Sequence, residues 1–199
     1  MSQPRTREPG ELFGPRMTLF ADMLSVGLAT AVACLPLLTA PAALSTACAV
    51  LRGVGEDRPA TAGRYAALLR RRLRRADLAA GALTLAVLLL SAADLALARA
   101  GLPGGPLFTV AASAITAGAC LVGLRTCARP ESLTEWATAL RAAARDTVHD
   151  PGGTGLILLA LATAAAGAWA LPPLAFLTPG PLALALTAVD VRLAGRRHR

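Results

Sequence analysis

The sequence predicts an all-α, polytopic transmembrane helix bundle, on three observations. The mean hydropathy is +0.55, and 55% hydrophobic against 16% charged residues is too apolar for an ordinary soluble domain. Apolar stretches of spanning length alternate with turns rich in Pro and Gly. The basic residues are 20 arginines with no lysine, and all but Arg99 fall in four patches between the apolar stretches. The patches are Arg5, Arg7 and Arg16; the arginines from Arg52 to Arg75; Arg125, Arg129, Arg141 and Arg145; and Arg192, Arg196, Arg197 and Arg199. Positive charge distributed this way marks the cytoplasmic side, which gives about six crossings with both termini inside. The expected location is the inner (plasma) membrane.

Residues 1–16 are polar, carry Pro4, Pro9 and Pro15, and read as a disordered cytoplasmic tail. One membrane domain follows over 17–194. Its first apolar stretch, 17–51, would make a straight helix of about 52 Å against a hydrocarbon core of about 30 Å. Pro36 and Pro41 therefore mark a bend, giving spans 17–35 and 37–53 as a hairpin that either crosses or is re-entrant. Ala31-Val32-Ala33-Cys34 mimics a processing site, but Asp22 interrupts the apolar run, so this segment is expected to be kept.

Within 61–76, Tyr65, Leu68, Leu69, Leu73 and Ala76 recur at helical spacing, and Arg64, Arg70, Arg71, Arg74 and Arg75 cover the other face. That is a basic amphipathic helix suited to the anionic inner leaflet. Residues 78–98 span, Gly101 to Pro106 turn, and 107–124 span back. The segment 132–149 has Ser132 and Glu135 in capping-box spacing, and its end carries Arg141, Arg145 and His149. Its expected apolar stripe is Leu133, Trp136, Leu140, Ala144 and Val148. Asp150-Pro151-Gly152-Gly153-Thr154-Gly155 lacks a Lys and a preceding strand, so it reads as a glycine linker and not a phosphate loop. Spans 155–171 and 174–193, joined by a proline-rich tip, and a basic tail 195–199 complete the chain. Residues 61–127 and 132–194 thus repeat one order of basic helix, span, tip, span, without sequence identity between them.

Composition narrows function mostly by exclusion. A net charge of +8 raises nucleic acid as a partner, but the arginines flank apolar segments, so anionic headgroups fit better. Without Lys there is no Schiff-base or Walker-type chemistry, and two histidines in polar positions offer no His-based metal site. Cys34, Cys48, Cys120 and Cys127 form no C-x-x-C pair and read as small buried hydrophobes. No catalytic motif, cofactor or metal site is expected, and the chain does not read as an enzyme. Asp22, Asp94 and Asp190 lie within apolar segments, where a buried charge costs about 2.5–3.5 kcal/mol. They are the candidate polar site within the membrane, although each has an arginine or an interface in reach. Arg64, Arg70, Arg71, Arg74, Arg75, Trp136, Arg141 and Arg145 are the candidate contacts to lipid headgroups or a partner.

Leu19-Phe20-Ala21-Asp22-Met23-Leu24, Cys34-Leu35-Pro36-Leu37-Leu38-Thr39-Ala40-Pro41-Ala42-Ala43-Leu44 and Leu51-Arg52-Gly53 together resemble the YesL-like family of bacterial integral membrane proteins. The resemblance lies in motifs over 17–75 and in architecture beyond. It implies no catalytic residues, and an association with carbohydrate uptake systems. The expected role is a non-enzymatic accessory or regulatory partner of a transport system, touching a transporter subunit or a second copy of itself. The alternative is a small transporter or channel with its site near Asp22 and Asp190.

Overall fold

The computed structural model describes residues 15–56, 60–99, 105–171 and 175–197. Among them there is no strand. Eight α-helices follow in order: α1 (Pro15–Cys34), α2 (Ala40–Arg52), α3 (Ala62–Arg72), α4 (Arg75–Arg99), α5 (Gly105–Ala128), α6 (Trp136–His149), α7 (Pro151–Ala170) and α8 (Pro179–Arg197). Short 3-10 turns occupy Leu37–Thr39, Gly53–Glu56 and Pro130–Leu133. Of the expected tail 1–16, residues 1–14 lie outside the described residues and Pro15 and Arg16 already belong to α1; residues 101–104 of the expected tip 101–106, and residues 172–174, also lie outside them.

Among the described residues three helices are long and apolar enough to cross a membrane: α4 over Arg75–Ala98, α5 over Pro106–Ala128 and α7 over Pro151–Ala170. The chain covers little of them, with 6%, 6% and 11% of their most apolar windows buried. Leu83, Leu89, Leu90, Val110 and Ile115 are all more than half exposed. A continuous apolar surface of this kind has no place in water. The described chain is thus an all-helical protein with three apolar helices compatible with a membrane.

The remaining apolar helices pack on one another. α1 lies on α8 and α2, and α2 lies on α8 and α5. Gly27 and Gly180 let α1 and α8 approach closely, since a Cβ on Gly27 would fall 2.9 Å from the Gly180 backbone. Cys48 faces the Ala183 carbonyl at 3.7 Å, and Arg52 reaches Asp190, so α2 and α8 run parallel. Tyr65 fixes α3 to this unit: its ring is buried and its hydroxyl donates to the Ala43 carbonyl at 3.4 Å. Burial pushes that phenol up to about 12.

The first hairpin is short. α2 has 13 residues, about 20 Å of rise. Its 37–39 turn packs against the start of α4, where a Cβ on Gly81 would overlap the Leu38 carbonyl. From Gly81, α4 continues to Arg99, about 27 Å further. The tip of the first hairpin therefore sits near the foot of the α4–α5 hairpin and not beside its far end.

Several sequence boundaries move. The helix expected over 61–76 ends at Arg72, and a new helix starts at Arg75 because Asp77 caps it, its Oδ2 accepting from the Arg74 amide at 3.1 Å. The capping box at Ser132 does not form. Ser132 sits in a 3-10 turn with its hydroxyl donating to the Arg129 carbonyl, and α6 starts at Trp136. The glycine linker is helical from Pro151, with proline in the first turn where its missing amide costs nothing. α8 begins at Pro179 and takes in residues 195–197, which the sequence assigned to a tail.

Candidate functional site

The polar residues gather where α2, α5 and α8 reach the basic patches. Arg52, the last residue of α2, donates to Asp190 Oδ2 at 2.7 Å and to the Ala128 carbonyl at the end of α5. Arg129 pairs with Asp146 of α6, both side chains being 8% exposed, and lies 3.5 Å from Glu131. Arg125 reaches the first turn of α7, donating to the Asp150 carbonyl at 3.1 Å and to Thr154 Oγ1 at 3.0 Å. Its guanidinium also stands 3.5 Å from the Asp150 carboxylate. A Cβ on Gly153 would strike both Arg125 and Asp150, so glycine is what leaves room for this contact.

The fourth arginine, Arg72, ends α3. It donates to the Ser45 hydroxyl of α2 and to the Ser132 carbonyl, stands 3.6 Å from Asp77, and lies 5.5 Å over the Trp136 ring. Trp136 Nε1 donates to Asp77 Oδ1 at 2.9 Å, which closes the set. Burial lowers the Arg72 pKa from its ordinary value, and Asp77 opposes that shift. The four arginines thus tie the ends of α2, α3, α4, α5, α6 and α7 to one another and to Asp190 in the second half of α8. Each carboxylate in the cluster has an arginine within ion-pair distance, which is the condition under which buried charge is tolerated. A cavity of about 10 Å³ among Arg125, Arg129, Asp146, Asp190, Ile157 and Leu186 has room for one water. This arrangement ties the helices together.

Of the three candidate carboxylates, only Asp190 enters the cluster. Asp22 is half-buried on α1, beside the start of α8, because the neighbouring Met23 carbonyl meets Gly180. Asp190 lies ten residues further along α8, about 15 Å of helix. Asp94 is half-buried near the C-terminal end of α4. The three do not converge. Arg70, Arg71, Arg74 and Arg75 are exposed around the α3–α4 corner, Arg64 is half-buried, and Arg141 and Arg145 are exposed on α6.

α6 turns the other way from the sequence expectation. Its buried residues are Ala139, Ala143 and Asp146, while Leu140 and Val148 are 40% and 77% exposed. The reason is the ion pair: α6 must present Asp146 to Arg129, and the alanines on that face allow close contact with α5. Leu133, Leu140, Ala144 and Val148 are then left outward, and of the expected stripe only Trp136 is half-buried.

Sequence reasoning missed Arg52, Arg72, Arg125 and Arg129, and their partners Asp77, Asp146 and Asp150. The signal present was each arginine's place at the end of an apolar helix, with an acid at the start or end of another. Among the described residues no group of three or more His, Cys, Asp or Glu is placed to hold a metal ion, and Cys34, Cys48, Cys120 and Cys127 are all free thiols. No protein-family model, curated protein or solved structure matches the chain.

Proposed function

We propose that this chain is an integral membrane protein of the inner membrane that acts as a non-enzymatic accessory partner of a transport system, docking it through the cytoplasmic faces of α3 and α6. The outward apolar stripe of α6 carries the reading. Leu140 and Val148 flank the exposed Arg141 and Arg145, a combination that suits a protein partner. The YesL-like resemblance over 17–75 adds carbohydrate uptake as the class of system. The separation of Asp22 from Asp190 weighs against a small transporter using both.

Affinity capture from solubilised membranes tests the docking. Wild-type protein is expected to recover a transport subunit in fixed ratio, and L140E/V148E is expected to lose it, both positions being exposed enough for the fold to tolerate the change. Equal recovery by both proteins, or by neither, would sink the proposal.

In this reading the basic cluster and both termini face the cytoplasm, and the tips 36–41, 101–106 and 172–181 point outward. The α4–α5 and α7–α8 hairpins cross. The 13-residue α2 and its contact with the foot of α4 support a re-entrant first hairpin over a crossing one. Bringing the arginines of 52–75 across would cost about 1 kcal/mol per residue against the anionic leaflet alone. In a cysteine-free background, cysteines at Gly104 and Thr178 should react with an impermeant thiol reagent from outside, and those at Thr61 and Thr138 only after the membrane is opened. External labelling at Thr61 would reverse the orientation.

A further inference from the structure

At the corner where α3 turns into α4, a groove of about 250 Å³ opens between α2, α3 and the 130–133 turn. Arg71, Arg72 and Arg74 line it together with Thr46, Leu68 and Leu133. No carboxylate is among its lining residues. Arg71 and Arg74 are exposed there, while Arg72 forms the floor with its side chain 10% exposed. Arg72 spends its terminal nitrogens on Ser45, Thr46 and Ser132. Its buried Nε has no hydrogen-bond partner, the Asp77 carboxylate standing off at 3.6 Å. Asp77 is matched to Arg72 and Glu131 to Arg129, and no carboxylate among the described lining residues compensates the charge of Arg71 and Arg74.

The surroundings favour one kind of anion. Leu68 and Leu133 form lips that are 38% and 40% exposed. Four residues after Arg74 the exposed Leu78 begins the apolar surface of α4. The groove is smaller than the roughly 300–1,000 Å³ of pockets that enclose a whole small molecule. It suits a headgroup whose tails stay outside.

Resting on the membrane reading above, we infer that this groove binds the phosphodiester headgroup of an anionic phospholipid at the inner-leaflet interface, with Arg71 and Arg74 holding the phosphate and the acyl chains lying along α4. Arginine supplies several donors in a planar fork, which matches phosphate better than lysine does. Arg71 stands on the last turn of α3 and Arg74 just ahead of α4, so the two arginines flank the corner on which the groove opens.

The test uses the full chain in phosphatidylcholine nanodiscs doped with phosphatidylglycerol, with native mass spectrometry counting retained lipid. Wild type is expected to keep phosphatidylglycerol over phosphatidylcholine. R71Q/R74Q should lower that retention about thirtyfold, two surface arginines' worth of binding. Arg192→Gln, which removes an exposed charge on α8 away from the groove, should leave it unchanged. A loss with Arg192→Gln as large as with R71Q/R74Q would overturn the groove, since diffuse charge would then explain binding. Displacement of the lipid by millimolar inorganic phosphate would overturn the lipid as the ligand and leave a free-anion site. Carbonate extraction of wild-type protein from cell membranes separates the two levels. A protein released to the soluble fraction would overturn the membrane reading and this one together. A protein that resists extraction yet keeps its lipid in R71Q/R74Q would overturn this one alone.

Discussion

Leu89 and Leu90 on α4 are 62% and 65% exposed, whereas Leu186 on α8 is 1% exposed. Both helices are leucine-rich and alanine-rich, and both belong to hairpins. What separates them is what flanks the leucines. α8 carries Gly180, which α1 meets at backbone contact, and Asp190, which Arg52 holds. α4 beyond Gly81 has neither device; past the 37–39 turn it touches chiefly α5. In lipid no hydrophobic force draws one apolar helix to another, so association depends on close packing and polar contacts. The packed side has both, and the α4–α5 hairpin leaves its apolar surface bare.

The sharpest way to break this contrast is to remove an ionic clamp. Arg129→Ala removes the guanidinium that pairs with Asp146 and Glu131, at a site where the arginine and Asp146 are buried. Loss of one member of a buried pair costs about 3–5 kcal/mol, so this variant should show the largest drop in stability in detergent unfolding. The exposed Arg141→Ala is the control and should sit within about 0.5 kcal/mol of wild type. If the two variants unfold alike, the cluster does not hold the packed side together. R129M/D146L then sharpens the point: removing both charges should recover most of the loss, since an apolar pair of similar volume is often no worse than a buried ion pair.

Apolar stretches and helical spacing made an all-helical chain legible, but of the six expected crossings three correspond to helices long and apolar enough to span among the described residues. The failures have physical causes. Hydropathy scores a residue by its own transfer energy, and so it cannot distinguish Leu89 from Leu186. The arginines were read as a single topological signal, yet Arg52, Arg72, Arg125 and Arg129 are engaged in specific ion pairs while Arg70, Arg71, Arg74 and Arg75 are exposed. Only the three-dimensional meeting of Arg129 with Asp146 sorts one set from the other. The same pair turned α6 against its apolar periodicity, putting Ala139 and Ala143 inside and Leu140 outside. The boundary at Arg72–Arg75 was missed because Asp77 competes as a cap, a side-chain effect that helical spacing does not register. Of the candidate carboxylates, Asp190 was legible as a residue but its partner Arg52, distant in sequence, was not.

The smallest effects belong to paired leucine truncations, and they test the comparison most directly. Leu186→Ala opens a void where α8 meets its neighbours. In lipid or detergent part of the transfer term is lost, because the removed methyls leave one apolar medium for another, but the packing contacts are forfeited in full. A cost of about 2 kcal/mol is expected, at the low end of the range for buried leucines. Leu89→Ala removes the same atoms from a surface that solvating chains already touch, so no void forms and the change should stay within about 0.5 kcal/mol. Reversible unfolding in mixed micelles measures both. A Leu89→Ala cost equal to that of Leu186→Ala would mean that the α4–α5 hairpin is covered by protein, either a second copy or a partner, and the contrast between the two regions would then reflect an isolated chain and not the assembly.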